Sequence, residues 1–146
     1  MIVDDSSLIR RILTGWFNES PDFKIVAAHS NGRRAADDIG RTQPDVVILD
    51  IEMPEMDGLT ALPLILERKP GTAVIVASTL SRRGAEVSLK ALTLGASDYL
   101  TKPDTGDVSS AQQFRDDLME KARQLGQRAK KRTSLRVPRA ERPTAP

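Results

Sequence analysis

Short apolar runs of strand length alternate along this chain with stretches of helical spacing, and that alternation restricts its folds more than any other feature. Runs at Met1–Val3, Phe23–Ala28, Val46–Ile51 and Ala73–Ala77, with a shorter one at Tyr99–Thr101, are apolar at most consecutive positions, broken only by Lys24, Asp50 and Thr101. That is the pattern of strands covered on both faces. Between them, Ser6 to Phe17 places Leu8, Ile9, Ile12, Leu13, Trp16 and Phe17 on one stripe behind a Ser or Asp cap. Ala35, Ala36 and Ile39 mark a second helix, and Leu59, Leu62, Ile65 and Leu66 a third. Ala85, Leu89 and Leu92 mark a fourth that stops at Gly95, and Ser110 opens a fifth through Ala111, Phe114, Leu118, Ala122 and Leu125. Five strand–helix units predict an α/β, doubly wound five-stranded parallel sheet with five helices, because right-handed crossovers put helices on both of its faces. Pro63 removes a backbone donor early in the third helix, so that helix is expected to start late or bend. The first strand has only three residues before an acidic pair, shorter than a central strand usually is, and looks truncated or clipped.

At 146 residues the chain holds one domain and a tail. Residues 1 to 103 carry 12 Lys/Arg against 14 Asp/Glu, whereas residues 121 to 146 carry 9 against one. The apolar periodicity fades from Gln127 into Ala129-Lys130-Lys131-Arg132, with Pro138, Pro143 and Pro146 beyond. Residues 1–128 are therefore read as the folded domain and 129–146 as a basic, Pro-containing linker or tail. No apolar run reaches bilayer length and no signal peptide opens the chain, so a cytoplasmic place without membrane insertion is expected. With no cysteine and His29 as the only histidine, thiolate nucleophiles and zinc sites of several Cys or His are excluded. The available chemistry is that of carboxylates, hydroxyls and amines.

In an open parallel sheet, ligands bind beyond the carboxyl ends of the strands, where strand order reverses. Those ends here carry Asp4-Asp5, Asp50, Ser78-Thr79 and Lys102-Pro103. Three carboxylates that close together cannot all stay ionised unaided. A hard cation relieves them, and Mg²⁺, which prefers a few carboxylate or carbonyl oxygens plus waters and a phosphate, suits the set. A carboxylate can also attack a phosphoryl group, and Asp50 stands alone at its strand end before the turn-forming Met53-Pro54-Glu55-Met56-Asp57-Gly58. Lys102 and the Ser78 or Thr79 hydroxyls supply positioning and charge neutralisation. Taken singly, each has an ordinary use: Asp5 or Ser6 as a helix cap, Lys102 as a surface lysine, and the hydroxyls as partners for loop backbone. The conjunction of four strand ends carries the reading.

Val3-Asp4-Asp5-Ser6, Leu49-Asp50-Ile51-Glu52-Met53-Pro54 with Met56-Asp57-Gly58, Ser78-Thr79 and Lys102-Pro103 resemble the receiver domain of two-component response regulators over residues 1 to about 128. The stretches through Leu59, Thr79-Leu80-Ser81 with Gly84-Ala85-Glu86, and Ala91 to Tyr99 look like the receiver of chemotaxis protein-glutamate methylesterases (CheB). The resemblance implies the flavodoxin-like strand order 2-1-3-4-5. It implies Asp50 as phospho-acceptor, Mg²⁺ held by Asp5, Asp50 and the Glu52 carbonyl with Asp4 assisting, and Lys102 paired with the phosphoryl group. Ser78 would be the hydroxyl that turns toward the phosphoryl oxygen, and Tyr99 the aromatic that follows it. A cis bond before Pro103 would aim Lys102 into the site. The implied partners are a CheA-type histidine kinase and a methylesterase domain that follows in the family. Glu52 and Leu80 fall at positions that vary within the family and tune loss of phosphate.

Methylesterase activity itself is not expected here. A Ser-His-Asp triad needs a histidine against a serine, His29 ends an outer strand, and no Gly-x-Ser-x-Gly elbow occurs. The enzymatic capacity expected is self-phosphorylation and dephosphorylation at Asp50. Asp50-Ile51-Glu52 faintly resembles the start of haloacid dehalogenase-type phosphatases, but those place that strand first. No Gly-rich nucleotide loop is present, and the basic tail lacks the interleaved aromatics of a nucleic-acid binder. The competing reading is a stand-alone CheY-like receiver that signals by docking to a partner protein.

Overall fold

The computed structural model describes residues 1–53, 55–103 and 108–140, with side chains as far as residue 132. Pro54, Pro143 and Pro146 lie outside the described residues. Five parallel strands, β1 (Ile2–Val3), β2 (Ala28–His29), β3 (Val46–Asp50), β4 (Ala73–Ser78) and β5 (Asp98–Thr101), form one sheet in the order β2-β1-β3-β4-β5. The helices are α1 (Ser7–Asn18), α2 (Gly32–Thr42), α3 (Gly58–Arg68), α4 (Arg82–Thr93) and α5 (Val108–Ala140). This is the doubly wound, flavodoxin-like architecture expected, with a short first strand. The Met1 amine donates to the Val46 carbonyl at 2.9 Å, and Ile48 N–H donates to the Met1 carbonyl at 2.9 Å, so the ladder is used from the first residue.

Successive strand residues point to opposite faces, and the core divides accordingly. Val3, Val47, Leu49, Val74 and Val76 pack with Ala35, Ala36 and Ile39 of α2, Ala61, Leu62 and Ile65 of α3, and Ala91 of α4. Ile2, Ile48, Ile75 and Leu100 pack with Leu13 and Phe17 of α1 and Phe114, Leu118 and Ala122 of α5. Side chains start the helices: the Ser6, Asn31, Asp57 and Ser81 side chains accept from Ile9, Arg34, Thr60 and Gly84 N–H respectively.

Several expectations are corrected. The second strand is confined to Ala28–His29 instead of Phe23–Ala28. α3 does not start late: Asp57 caps it at Gly58, and Pro63 sits exposed in its second turn. α4 is turned so that Gly84, Ser88 and Ala91 face inward, while Ala85, Leu89 and Leu92, expected inside, are exposed. On α1, Leu8 and Ile12 are likewise exposed.

α5 runs to Ala140, through much of the segment from residue 129 that composition marks as unfolded. Ala122 and Ala129 are fully covered, so the buried stripe persists in alanines, whose small apolar surface hides the period, and the intervening Lys, Arg and Gln are good helix formers. No described helix is long and apolar enough to cross a membrane.

Candidate functional site

β1, β3 and β5 end at the same edge of the sheet, and each delivers a charge there. Asp4 follows β1, Asp50 closes β3, and Lys102 follows β5. Asp4 N–H donates to the His29 carbonyl at 3.1 Å, which extends the β1–β2 ladder up to the acid. Carboxylate oxygens of Asp4, Asp5 and Asp50 come within 4.8 Å of one another. Asp4 and Asp50 are buried, and Asp5 is exposed. Ser6, not Asp5, caps α1, which leaves Asp5 free of that duty.

Lys102 Nζ lies 2.9 Å from Asp50 Oδ1 and 3.2 Å from Asp4 Oδ2, bridging the two buried acids. The remaining oxygens divide unevenly. Asp4 Oδ1 accepts from Ser6 N–H at 2.9 Å, and Asp50 Oδ1 also accepts from Glu52 N–H at 3.2 Å. Asp50 Oδ2 is buried and has no hydrogen-bond partner. An anionic oxygen without a donor is costly in a buried place. Burial pushes the Asp50 carboxyl up to about 7, Asp4 adds to that push, and Lys102 and the Glu52 N–H oppose it without cancelling it. Burial would lower the Lys102 ammonium, yet Asp50 and Asp4 outweigh it and hold the ammonium above its ordinary range. Three clustered carboxylates, one of them with an orphaned oxygen, form an oxygen donor set that suits a hard cation, beside the ammonium that already offsets part of their charge.

The loop after β3 returns tightly to the site. Gly58 N–H donates to the Ile51 carbonyl at 2.9 Å, and a Cβ on Gly58 would lie 2.6 Å from the Asp50 carbonyl oxygen and 2.7 Å from Ile51 Cα. Only glycine allows α3 to begin that close to the acid-bearing strand end.

The two hydroxyls expected to face the acids are engaged elsewhere. Ser78 Oγ is hydrogen-bonded at 2.8 Å to Ser88 Oγ of α4, and Thr79 Oγ1 donates to Glu52 Oε1 at 2.8 Å. Tyr99, on β5, is 38% exposed and borders a cavity of about 530 Å³ with Leu80, Lys102, Ser110 and Phe114. The bond before Pro103 is trans, contrary to expectation, and the long lysine side chain reaches both acids from that backbone. Sequence reading missed Ser88, because a serine within a helical stripe of Gly and Ala gives no apolar signal.

Residues 1–112 match the family model of the response regulator receiver domain. A protein-glutamate methylesterase/protein-glutamine glutaminase of Nitrobacter winogradskyi is 48% identical over 139 residues, 94% of this chain and 33% of its own length. The corresponding protein of Rhodospirillum rubrum is 50% identical over 127 residues, 86% of this chain and 33% of its own length. The chain thus spans about a third of the curated relatives it matches. Among solved structures, the response regulator domain of Thermotoga maritima CheB superposes with a TM-score of 0.77 at 37% identity, covering 86% of this chain and 93% of that one. A CheX–CheY–BeF3–Mg complex from Borrelia burgdorferi gives 0.66 at 32% identity, covering 81% and 86%.

Proposed function

Because the chain belongs to the response regulator receiver domain family, in the branch carried by CheB-type methylesterases, we propose that it is a phosphorylation switch with Asp50 as acceptor. The observation that carries this reading is the Asp50 carboxylate, with one oxygen tied to Lys102 and the other buried without a partner. An Asp50 oxygen attacks the phosphorus of a phosphohistidine on a histidine kinase of CheA type. The P–N bond breaks, its electron pair stays on the imidazole nitrogen, and that nitrogen takes a proton from water. Lys102 holds the entering phosphoryl oxygens and offsets their charge. Mg²⁺ held by Asp5, Asp50 and the Glu52 carbonyl, with Asp4 assisting, would supply further charge neutralisation when bound. The match to a relative solved with BeF3 and Mg supports that choice of ion.

The added charge then draws the Ser78 hydroxyl inward, and the surface of α4, β5 and α5 with Tyr99 shifts between two states. The exposed stripe of Ala85, Leu89 and Leu92 on α4, continued by Leu80, offers an apolar face for the responding partner. That partner is a methylesterase domain of the kind that occupies the rest of the relatives, with the segment from 129 onward leading toward it. The switch operates in the cytoplasm, without nucleic acid. Coding sequence beyond Pro146 separates this from a stand-alone CheY-like messenger: a continuing esterase domain supports it, and an immediate stop supports the messenger.

Incubation with Mg²⁺ and acetyl phosphate is expected to add one phosphoryl group, read by intact-protein mass spectrometry, and Asp50→Asn to abolish it. Equal labelling of the Asp50→Asn protein overturns the assignment.

A further inference from the structure

The Ser78 hydroxyl has one proton, and the structure shows where it goes. Ser88 Oγ donates its own proton to the Gly84 carbonyl at 2.8 Å, so in the 2.8 Å contact between the two serines Ser78 is the donor and Ser88 the acceptor. Ser78 is 2% exposed and Ser88 1%, so both hydroxyls are withdrawn from bulk solvent and depend on partners within the protein. The chain Ser78–Ser88–Gly84 ties the end of β4 to the first turns of α4. Its far end is held in place: a Cβ on Gly84 would collide with the Thr79 carbonyl oxygen, and Gly84 N–H donates to Ser81 Oγ at 2.8 Å.

We propose that Ser88 is a positioning residue for the switch hydroxyl: it accepts the single Ser78 proton and thereby competes with the phosphoryl group at Asp50 for it. The inference rests on Asp50 being the acceptor of phosphate. A proton given to Ser88 cannot also be given to a phosphoryl oxygen, so the two bonds exclude one another. When Ser78 turns inward, Ser88 keeps its bond to Gly84 and loses only the one it accepts. The restraint therefore equals one neutral hydrogen bond, which biases the equilibrium about two- to tenfold. The inward turn of Gly84, Ser88 and Ala91, in place of the leucines, is what brings this acceptor to the strand end.

The test is a two-by-two comparison of the native chain, Ser78→Ala, Ser88→Ala and the double variant. Initial rates of phosphoryl incorporation from acetyl phosphate with Mg²⁺ are expected to rise about two- to tenfold in Ser88→Ala and to be unaffected by the same change in the Ser78→Ala background. An unchanged rate in Ser88→Ala, or an equal rise in both backgrounds, overturns the proposal. Urea melts of the four proteins without Mg²⁺ read the contact independently of phosphorylation. Non-additive losses support it, and additive losses overturn it. A native chain that takes up no phosphate defeats the reading of Asp50 instead, and the melts still decide the serine contact.

Discussion

Asp50 differs from an ordinary surface aspartate in the direction its proton equilibrium moves on folding. Its folded-state pKa of about 7 lies above the unfolded value. Between about pH 4 and pH 7 the folded protein therefore holds the extra proton, and stability falls as pH rises through that window. The group carries no penalty below the window and its full penalty above it. Metal-free urea melts are expected to show a steeper decline toward pH 8 for the native chain than for Asp50→Asn, with the variant the more stable at pH 8. Lys102→Ala removes the shared counter-ion of Asp4 and Asp50. It is expected to cost about 2 kcal/mol at pH 8 and less at pH 5, where Asp50 is protonated. A loss that does not depend on pH would show that Lys102 acts through packing alone. The acids and the lysine were legible from the sequence because each ends a strand, and strand ends of a parallel sheet share an edge. The engagement of Ser78 with Ser88 was not, because it depends on the rotation of a helix that carries two candidate inward faces.

At the level of elements, that rotation shows where periodicity fails. Ala85, Leu89 and Leu92 make the stronger hydrophobic stripe on α4, but Gly84, Ser88 and Ala91 have the small side chains that let the helix lie close to β4. Close approach was favoured over burial of leucine, and the leucines were left on the surface. A similar limit hid the length of α5, whose buried positions at 122 and 129 are alanines. The start of α3 depends on one glycine. Gly58→Ala is expected to destabilise the fold by about 1–3 kcal/mol, since the atoms it would meet are backbone and cannot swing aside. Asp57→Ala, which removes only the cap, is expected to cost about 1 kcal/mol. Chemical denaturation of the two variants checks the order. If the glycine variant is the milder one, the tight return of the loop does not position Asp50.

Across the whole molecule the sheet is uneven. Five residue pairs join β3 to β4, whereas two join β1 to β2. Stability is expected to follow: in native-state hydrogen exchange, amides of β3 and β4 should exchange only with global unfolding, and those of β2 by local opening. Uniform protection across the five strands would contradict this. The doubly wound architecture was legible because covered strands leave nearly unbroken apolar runs between helical stretches, whereas the strand order was legible only through the family resemblance. The brevity of β2 was not, because the run from Phe23 to Ala28 is as apolar as a strand and only its pairing decides. α5 has a further mechanical meaning. Its contacts with the core extend from Phe114 to Leu125, Ala129 is the last covered position among the residues whose side chains are described, and the helix continues eleven residues further, roughly 16 Å. A helix of that length works as a lever, so a tilt of ten degrees at the anchored part would sweep its Ala140 end through about 3 Å.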